Sequence, residues 1–368
     1  MLEKSIFASL GVSHSPLFSA MTNSCIPSTG YFHSPSFLSF ALHANTTIST
    51  PMHFFEFYCI IRKTPDQMKS AKWYLLNLHI WIVAFDYSFS ILTAPFLLIP
   101  RFVGFPLGVL RHFGVPIIVQ VVMVCVFLSN MLVSIAVLFE SRFYSICNFP
   151  GKQYWARYRR IWMLLFYLAG CLSFISFTFL VPDQEVAKKN MFMVSLYEFK
   201  SHGSTLELSL QRLPCLPDYI YQADNFVLTE NITYHLSIFV IFFITFGVKT
   251  ISFVFGLFWN AVRQLKDRTM SQKTFHLHKT FVIALVIQGS VPLFTFAFPV
   301  VYAWIAVLLD YYNQAFINIA VAVLSMHGFL SSLVMICVHY PYRKSFLDLL
   351  GVNSVRYQRN AVAVIENS

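Results

Sequence analysis

The sequence predicts an all-α membrane protein, a seven-transmembrane helix bundle followed by a short amphipathic helix on the cytosolic surface. Three observations predict it: an apolar composition, a succession of apolar runs long enough to cross a bilayer, and a one-sided distribution of lysine and arginine. Of the 368 residues, 57% are hydrophobic and only 11% charged, with a mean hydropathy of +0.63. Soluble domains carry about 25% charged residues, and their exteriors must be polar enough to stay dispersed. Lipid is the natural solvent for this chain.

A crossing helix needs roughly 20 mainly apolar residues, because the hydrocarbon core is about 30 Å thick and each helical residue rises about 1.5 Å. Seven runs qualify: Phe37–Ile61, Trp73–Ile99, Val115–Phe139, Ile161–Val181, Tyr234–Trp259, Thr280–Val307 and Phe316–Tyr340. The first is the most interrupted, by Asn45-Thr46-Thr47 and Glu56. Barrel strands would alternate over segments of about 10 residues, and these runs do not. The chain thus divides into an N-terminal tail (1–36), the bundle (37–340) and a C-terminal amphipathic helix with its tail (341–368).

Orientation follows from basic residues in the connectors, since the cytosolic side keeps the excess. Arg62–Lys72, Glu140–Arg160, Asn260–Lys279 and the tail after Tyr340 are each net basic, whereas the long Pro182–Thr233 connector is net acidic. The net charge of +10 is therefore a membrane-facing excess and no sign of nucleic-acid binding. The N-terminus is expected outside and the C-terminus in the cytosol. Pro341 suits the first turn of a new helix, where its missing N–H costs nothing. Phe346, Leu347 and Leu350 then share one side, which suits a helix lying along the inner membrane surface.

Seven cysteines are present. Cys125, Cys171 and Cys337 fall within spans and behave as small hydrophobes, while Cys59 and Cys147 lie near the reducing face, where palmitoylation is one option. Only Cys25 and Cys215 face the oxidising side, and a disulfide between them is left open. The sequons at Asn45 and Asn231 lie inside or close to a span, which disfavours glycan attachment. Met1 and Met21 are both open as the start.

Several stretches resemble the nematode serpentine receptors of class H, chemosensory seven-transmembrane receptors. They are Lys63-Thr64-Pro65 with Met68-Lys69 and Lys72-Trp73-Tyr74-Leu75-Leu76-Asn77-Leu78-His79; Pro106-Leu107-Gly108; Gly114-Val115-Pro116; Leu138-Phe139-Glu140-Ser141-Arg142; Pro214-Cys215-Leu216-Pro217; and His327-Gly328 followed by Pro341-Tyr342-Arg343. The resemblance runs from about Tyr31 to Val352. It implies a plasma-membrane receptor, in sensory-neuron cilia, that binds a small chemical outside and signals through a heterotrimeric G protein inside, without enzymatic activity.

On that reading Glu140 and Arg142 take the place where better-known receptors carry an acid-Arg-aromatic triplet. Glu140 is expected to restrain Arg142 at rest, and Arg142, Tyr342 and Arg343 to contact the G protein. Span seven lacks Asn-Pro-x-x-Tyr, so the rhodopsin-like switch does not transfer in detail. Ionisable residues inside spans are costly and face the bundle interior, which singles out Asp86, Lys249 and His327 as polar or switch positions. Gln288, Phe294 and Phe298 of span six, with Phe316 and Asn318 of span seven, are expected to line the ligand pocket. Pro292 and Pro299 are expected to kink span six. His276 and His278 in a basic connector are expected to be solvated, and no metal or cofactor is expected. The competing reading is a polytopic small-molecule transporter. Transporters usually carry internal repeats; none is visible here, and seven spans divide badly into two copies. A membrane enzyme would want clustered His, Asp or Glu at one membrane face, and no such spacing stands out.

Overall fold

The structure is a computed structural model that describes residues 30–64, 69–188, 216–229, 231–266 and 272–351. Seven membrane-spanning helices run in the expected order. They are α1 (Pro35–Arg62), α2 (Lys69–Tyr87, continued by a π turn over Ser88–Thr93), α3 (Ile117–Ile146), α4 (Lys152–Ile175), α6 (Ile232–Lys266), α7 (Gln272–Leu308), and a seventh span made of α8 (Gln314–Ser325) and α9 (His327–Val338). A short α5 (Asp218–Gln222) precedes α6, and α10 (Tyr340–Leu349) follows the last span.

Lipid leaves its signature on the helix faces. On α6 the exposed residues Ile241, Ile244, Val248, Ile251, Phe255 and Phe258 recur every three or four positions, so one apolar stripe faces outward. With lipid as apolar as leucine, such a stripe gives no drive to associate; close packing and hydrogen bonds between helices hold the bundle instead. The core accordingly mixes Leu38, Leu75, Ile82, Phe85, Met131 and Met335 with buried Ser49, His53, Glu56, Asp86 and Ser332.

The most interrupted span owes its composition to this inversion. The buried stripe of α1 is Leu38, Leu42, Thr46, Ser49, His53, Glu56, Cys59 and Ile60, polar through its middle. Its lipid face carries Phe40, Ile48 and Phe54. Among the described residues, six helices are long and apolar enough to cross a membrane on composition alone, and α1 is not one of them. It is nevertheless 28 residues long and packs against α2 and the seventh span.

Span two ends earlier than the apolar run suggests. Pro95–Leu98 leaves the helix as β1 and pairs antiparallel with β2 (Val103–Pro106), which pairs in turn with β3 (Phe226–Val227). This small sheet lies at the end of the bundle opposite the basic connectors. Gly108, just after β2, donates its N–H to the Thr93 carbonyl at 2.9 Å. A side chain there would collide with the Leu92 backbone, so the chain can fold back onto α2 only through glycine. Arg101 of the β1–β2 turn reaches Asp310, ahead of span seven, at 3.7 Å.

Span seven breaks at Met326. The Ser325 carbonyl at the break accepts a hydrogen bond from Asn45 Nδ2 at 2.6 Å, which supplies a backbone group inside the bundle with a partner. Asn45 thereby ties α1 to the break in span seven, with its amide nitrogen committed to that contact. α7 passes through Pro292 and Pro299 as one continuous helix. Cys25 and Cys215 lie outside the described residues, as do most of the N-terminal and C-terminal tails. Cys59 and Cys147 are buried, 0% and 2% exposed, which removes the palmitoylation option. Burial also pushes the Cys147 thiol up to about 11, with Lys152 opposing.

α10 begins where expected, with proline in its first turn. One expectation about it fails. Tyr342 is fully buried, its hydroxyl 2.7 Å from Thr64 Oγ1, so it anchors the helix to the end of α1 and has no surface to offer a partner. Burial pushes its phenol up to about 12, against the pull of the Thr64 hydrogen bond. Arg343 stays exposed, and Phe346 packs edge-on against Phe55 with centroids 5.4 Å apart. Tyr342→Phe is expected to cost about 1 kcal/mol, one hydrogen bond, and Tyr342→Ala about 3–5 kcal/mol through the cavity it leaves. Equilibrium unfolding of the solubilised protein measures both.

Candidate functional site

Three helical faces converge on a buried polar cluster. Ser49, His53 and Glu56 follow one another at steps of four and three along α1, so they lie on one face. His79 and Asp86 are seven apart on α2, two turns along its inner face. Ser332 of α9 and Gly328, one turn earlier, close the third side. Asp86 Oδ2 accepts from Ser49 Oγ at 3.0 Å and from His53 Nε2 at 3.0 Å. Ser332 Oγ lies 2.9 Å from His53 Nδ1. His79 Nε2 donates to the His53 carbonyl at 3.1 Å, and its Nδ1 faces Glu56 Oε2 at 3.1 Å. All six polar side chains are at most 3% exposed. The expected interior role of Asp86 therefore has named partners, while His53 was not singled out by the sequence pattern. The signal was available: a polar stripe at helical period within an otherwise apolar run.

Next to this cluster lies His327, 1% exposed, its ring 5.4 Å from Phe296 and 6.2 Å from Phe85. Neither ring nitrogen has a hydrogen-bond partner among the described residues.

The expected pocket residues divide. Gln288 is buried, 5% exposed, with its Oε1 unpartnered among the described residues. Phe294 is 76% exposed and Phe298 42% exposed. The two are four residues apart and so share the lipid-facing stripe of α7, whereas Thr295 and Phe296 face inward. Phe316 is half exposed and lies tilted against Tyr302 with ring centroids 5.9 Å apart, on the lipid-facing rim between spans six and seven. Asn318 is fully buried but committed: it donates to the Phe32 carbonyl at 2.8 Å and accepts from Gln314 at 2.8 Å, tying down the segment before α1. Three of the five are thus placed on the lipid side and one in a structural clasp. Lys249 is half-buried and turns toward span four rather than toward the polar cluster. Its ammonium lies 3.8 Å over the Phe166 ring and 5.6 Å from that of Trp162, a cation–π contact with span four.

At the basic end, Glu140 finds a different partner from the expected one. It accepts from Arg159 Nη2 at 2.8 Å and Nε at 3.1 Å, and from Trp155 Nε1 at 2.7 Å. The reason is geometric: residues two apart on a helix do not face each other, so Glu140 and Arg142 diverge while Arg159 approaches from α4. Arg159 also lies 4.3 Å over the Tyr144 ring. Arg142 is itself buried, 6% exposed. Farther in, Asn77 Nδ2 donates to Tyr167 at 2.7 Å and Ser134 at 3.0 Å, joining spans two, three and four.

Comparison with known proteins places this architecture. Residues 33–352 match the family described as serpentine type 7TM GPCR chemoreceptor Srh. A stretch of 138 residues is 32% identical to serpentine receptor class H-72 of Caenorhabditis elegans, covering 36% of this chain and 40% of that protein. Squid rhodopsin superposes with a TM-score of 0.52 over 84% of this chain and 83% of its own, at 12% identity, a likeness of fold alone. With its family match running nearly end to end through the bundle, this chain belongs to the Srh family of seven-transmembrane GPCR chemoreceptors.

Proposed function

We propose that the protein is a plasma-membrane chemosensory receptor, N-terminus outside, that binds a small chemical within its bundle and signals through a heterotrimeric G protein at its basic, cytosolic end. The observation that carries this reading is His327. A buried polar group without a hydrogen bond costs about 1–3 kcal/mol, and His327 offers two such nitrogens between the rings of Phe85 and Phe296. A small, mostly apolar molecule with one hydrogen-bonding group would satisfy one of them and stack on the rings. Such a ligand would shift the bundle between two arrangements only by its differential contacts with them. The position of His327, directly before the Gly328–Asp86 contact, lets those contacts bear on the packing of spans one, two and seven.

The test is expression of the full chain in a responsive cell, with odorants screened for a calcium or cyclic-nucleotide change. A dose-dependent response is expected, shifted to at least tenfold higher concentration by His327→Leu and abolished by Arg142→Ala at equal surface expression. Substrate flux without signalling would replace the receptor reading by a transporter.

A further inference from the structure

We propose that His53, Glu56 and His79 form an intramembrane binding site for a divalent transition-metal ion of the zinc type. One donor atom from each of the three lies within 4.8 Å of the other two, and all three residues are buried.

The hydrogen bonds decide which atoms are free to ligate. His79 Nε2 faces a backbone carbonyl, which can only accept, so Nε2 carries the proton. The Nδ1 of a neutral ring then presents a lone pair to the Glu56 carboxylate at 3.1 Å. Two lone-pair donors at that distance repel unless a positive charge lies between them. The same logic applies to His53. Its Nε2 donates to Asp86, which leaves the Nδ1 lone pair to accept from Ser332 Oγ at 2.9 Å, a bond that a metal on Nδ1 would displace. Neither Glu56 oxygen nor His79 Nδ1 finds a hydrogen bond of normal geometry among the described residues. The charge between Glu56 and His79 is a proton or a metal ion, and where a metal takes the proton's place three bases converge on it in a dry interior.

The surroundings match what metal-binding histidines require. A ligating histidine almost always gives its other N–H to a carboxylate or a backbone carbonyl, which fixes the ring and its tautomer. Here His53 gives its N–H to Asp86 and His79 gives its N–H to the His53 carbonyl. Two imidazoles and a carboxylate form an established zinc donor set, with Zn–N and Zn–O near 2.0–2.2 Å and a fourth position open to a water or hydroxyl. Ser332 supplies a hydroxyl at that side. His79 Nδ1 and Glu56 Oε2 already lie within the spacing of neighbouring ligands, and binding would require the remaining donor atom to close on them. Hard cations such as magnesium prefer all-oxygen shells, so nitrogen-rich ligation favours zinc, with copper its main competitor. Bound metal would pin spans one and two together and, through Ser332, span seven.

The test uses the full chain in lipid nanodiscs, dialysed against micromolar Zn²⁺ and analysed for metal. About one equivalent is expected for the wild type and for His43→Gln, a histidine on the lipid face. None is expected for Glu56→Gln or His79→Gln, and Asp86→Asn should weaken binding by about 10–100-fold, as loss of a histidine's outer partner does. X-ray absorption of the loaded wild type should show a nitrogen and oxygen shell near 2.0 Å with the scattering of two imidazoles, a readout that needs no variant to fold. No retained metal in the wild type would overturn the proposal in favour of a bare imidazolium–carboxylate pair. Unchanged stoichiometry in both ligand variants, or a sulfur shell from Cys59, would overturn it equally.

Discussion

Arg159→Ala is expected to destabilise the protein by about 3–5 kcal/mol, the usual cost of removing one partner from a buried ion pair. Glu140 is 0% exposed and takes two of its three hydrogen bonds from Arg159. With the guanidinium gone, the carboxylate keeps only the Trp155 N–H in a setting that water does not reach. Glu140→Gln should cost less, because the amide retains an acceptor for Trp155 and leaves the arginine, 16% exposed, free to reach solvent. The double replacement Glu140→Gln with Arg159→Met should recover most of the loss, since an apolar pair of similar volume is close to neutral in such places. Equilibrium unfolding in a denaturing-detergent titration measures all three. A double-mutant cycle should give a coupling of about 0.5–3 kcal/mol between Glu140 and Arg159, contacts that share hydrogen bonds, and a smaller one between Glu140 and Arg142. The reverse order would restore the intrahelical restraint that the sequence suggests.

That exchange of partners marks the boundary of what is legible in the sequence. The spans are readable because lipid imposes a requirement on every residue of a crossing helix, and that requirement shows in composition alone. Their ends are less so. Phe96, Leu97 and Leu98 extend the apolar run of α2 without a break in hydropathy, and a short apolar run does not distinguish helix from strand; Pro95 is the sole mark of the departure. Polar contacts between helices are least legible. Helical period tells which residues share a face, and it suffices to join Ser49, His53 and Glu56 into one stripe. It does not tell which helix that face meets. Asn77 meets Ser134 and Tyr167, Asn45 meets Ser325, and Lys249 meets Phe166 across sequence separations that no local pattern encodes. Aromatic abundance misleads for a related reason. With 40 phenylalanines in the chain, lipid-facing and interior rings are chemically alike, and only their angular position separates Phe294 from Phe296.

Gly328→Ala should be strongly destabilising for so small a substitution. A Cβ at that position would lie 2.7 Å from both Cγ and Oδ2 of Asp86, closer than real contacts allow, and a tight 3.0 Å from its Cβ. Either α9 moves away from α2 or the Asp86 side chain turns aside. Neither is cheap. Moving α9 withdraws Ser332 from His53 and loosens the packing of Met335 and Ile336, both at most 1% exposed. Turning Asp86 tears its bonds to Ser49 and His53, and each buried polar partner so stranded costs about 1–3 kcal/mol, on top of about 1–3 kcal/mol for overpacking. The substitution adds one methyl group, and a helix-favouring one at that, so a large loss can only come from the collision. The decisive control is Asp86→Ala combined with Gly328→Ala. Removing the carboxylate vacates the space the new methyl needs, so the double variant should be more stable than the sum of the two single losses predicts. Strict additivity in the same unfolding titration would mean that the glycine does not hold the seventh span against Asp86. It would also sever the link between a ligand at His327 and the rest of the bundle.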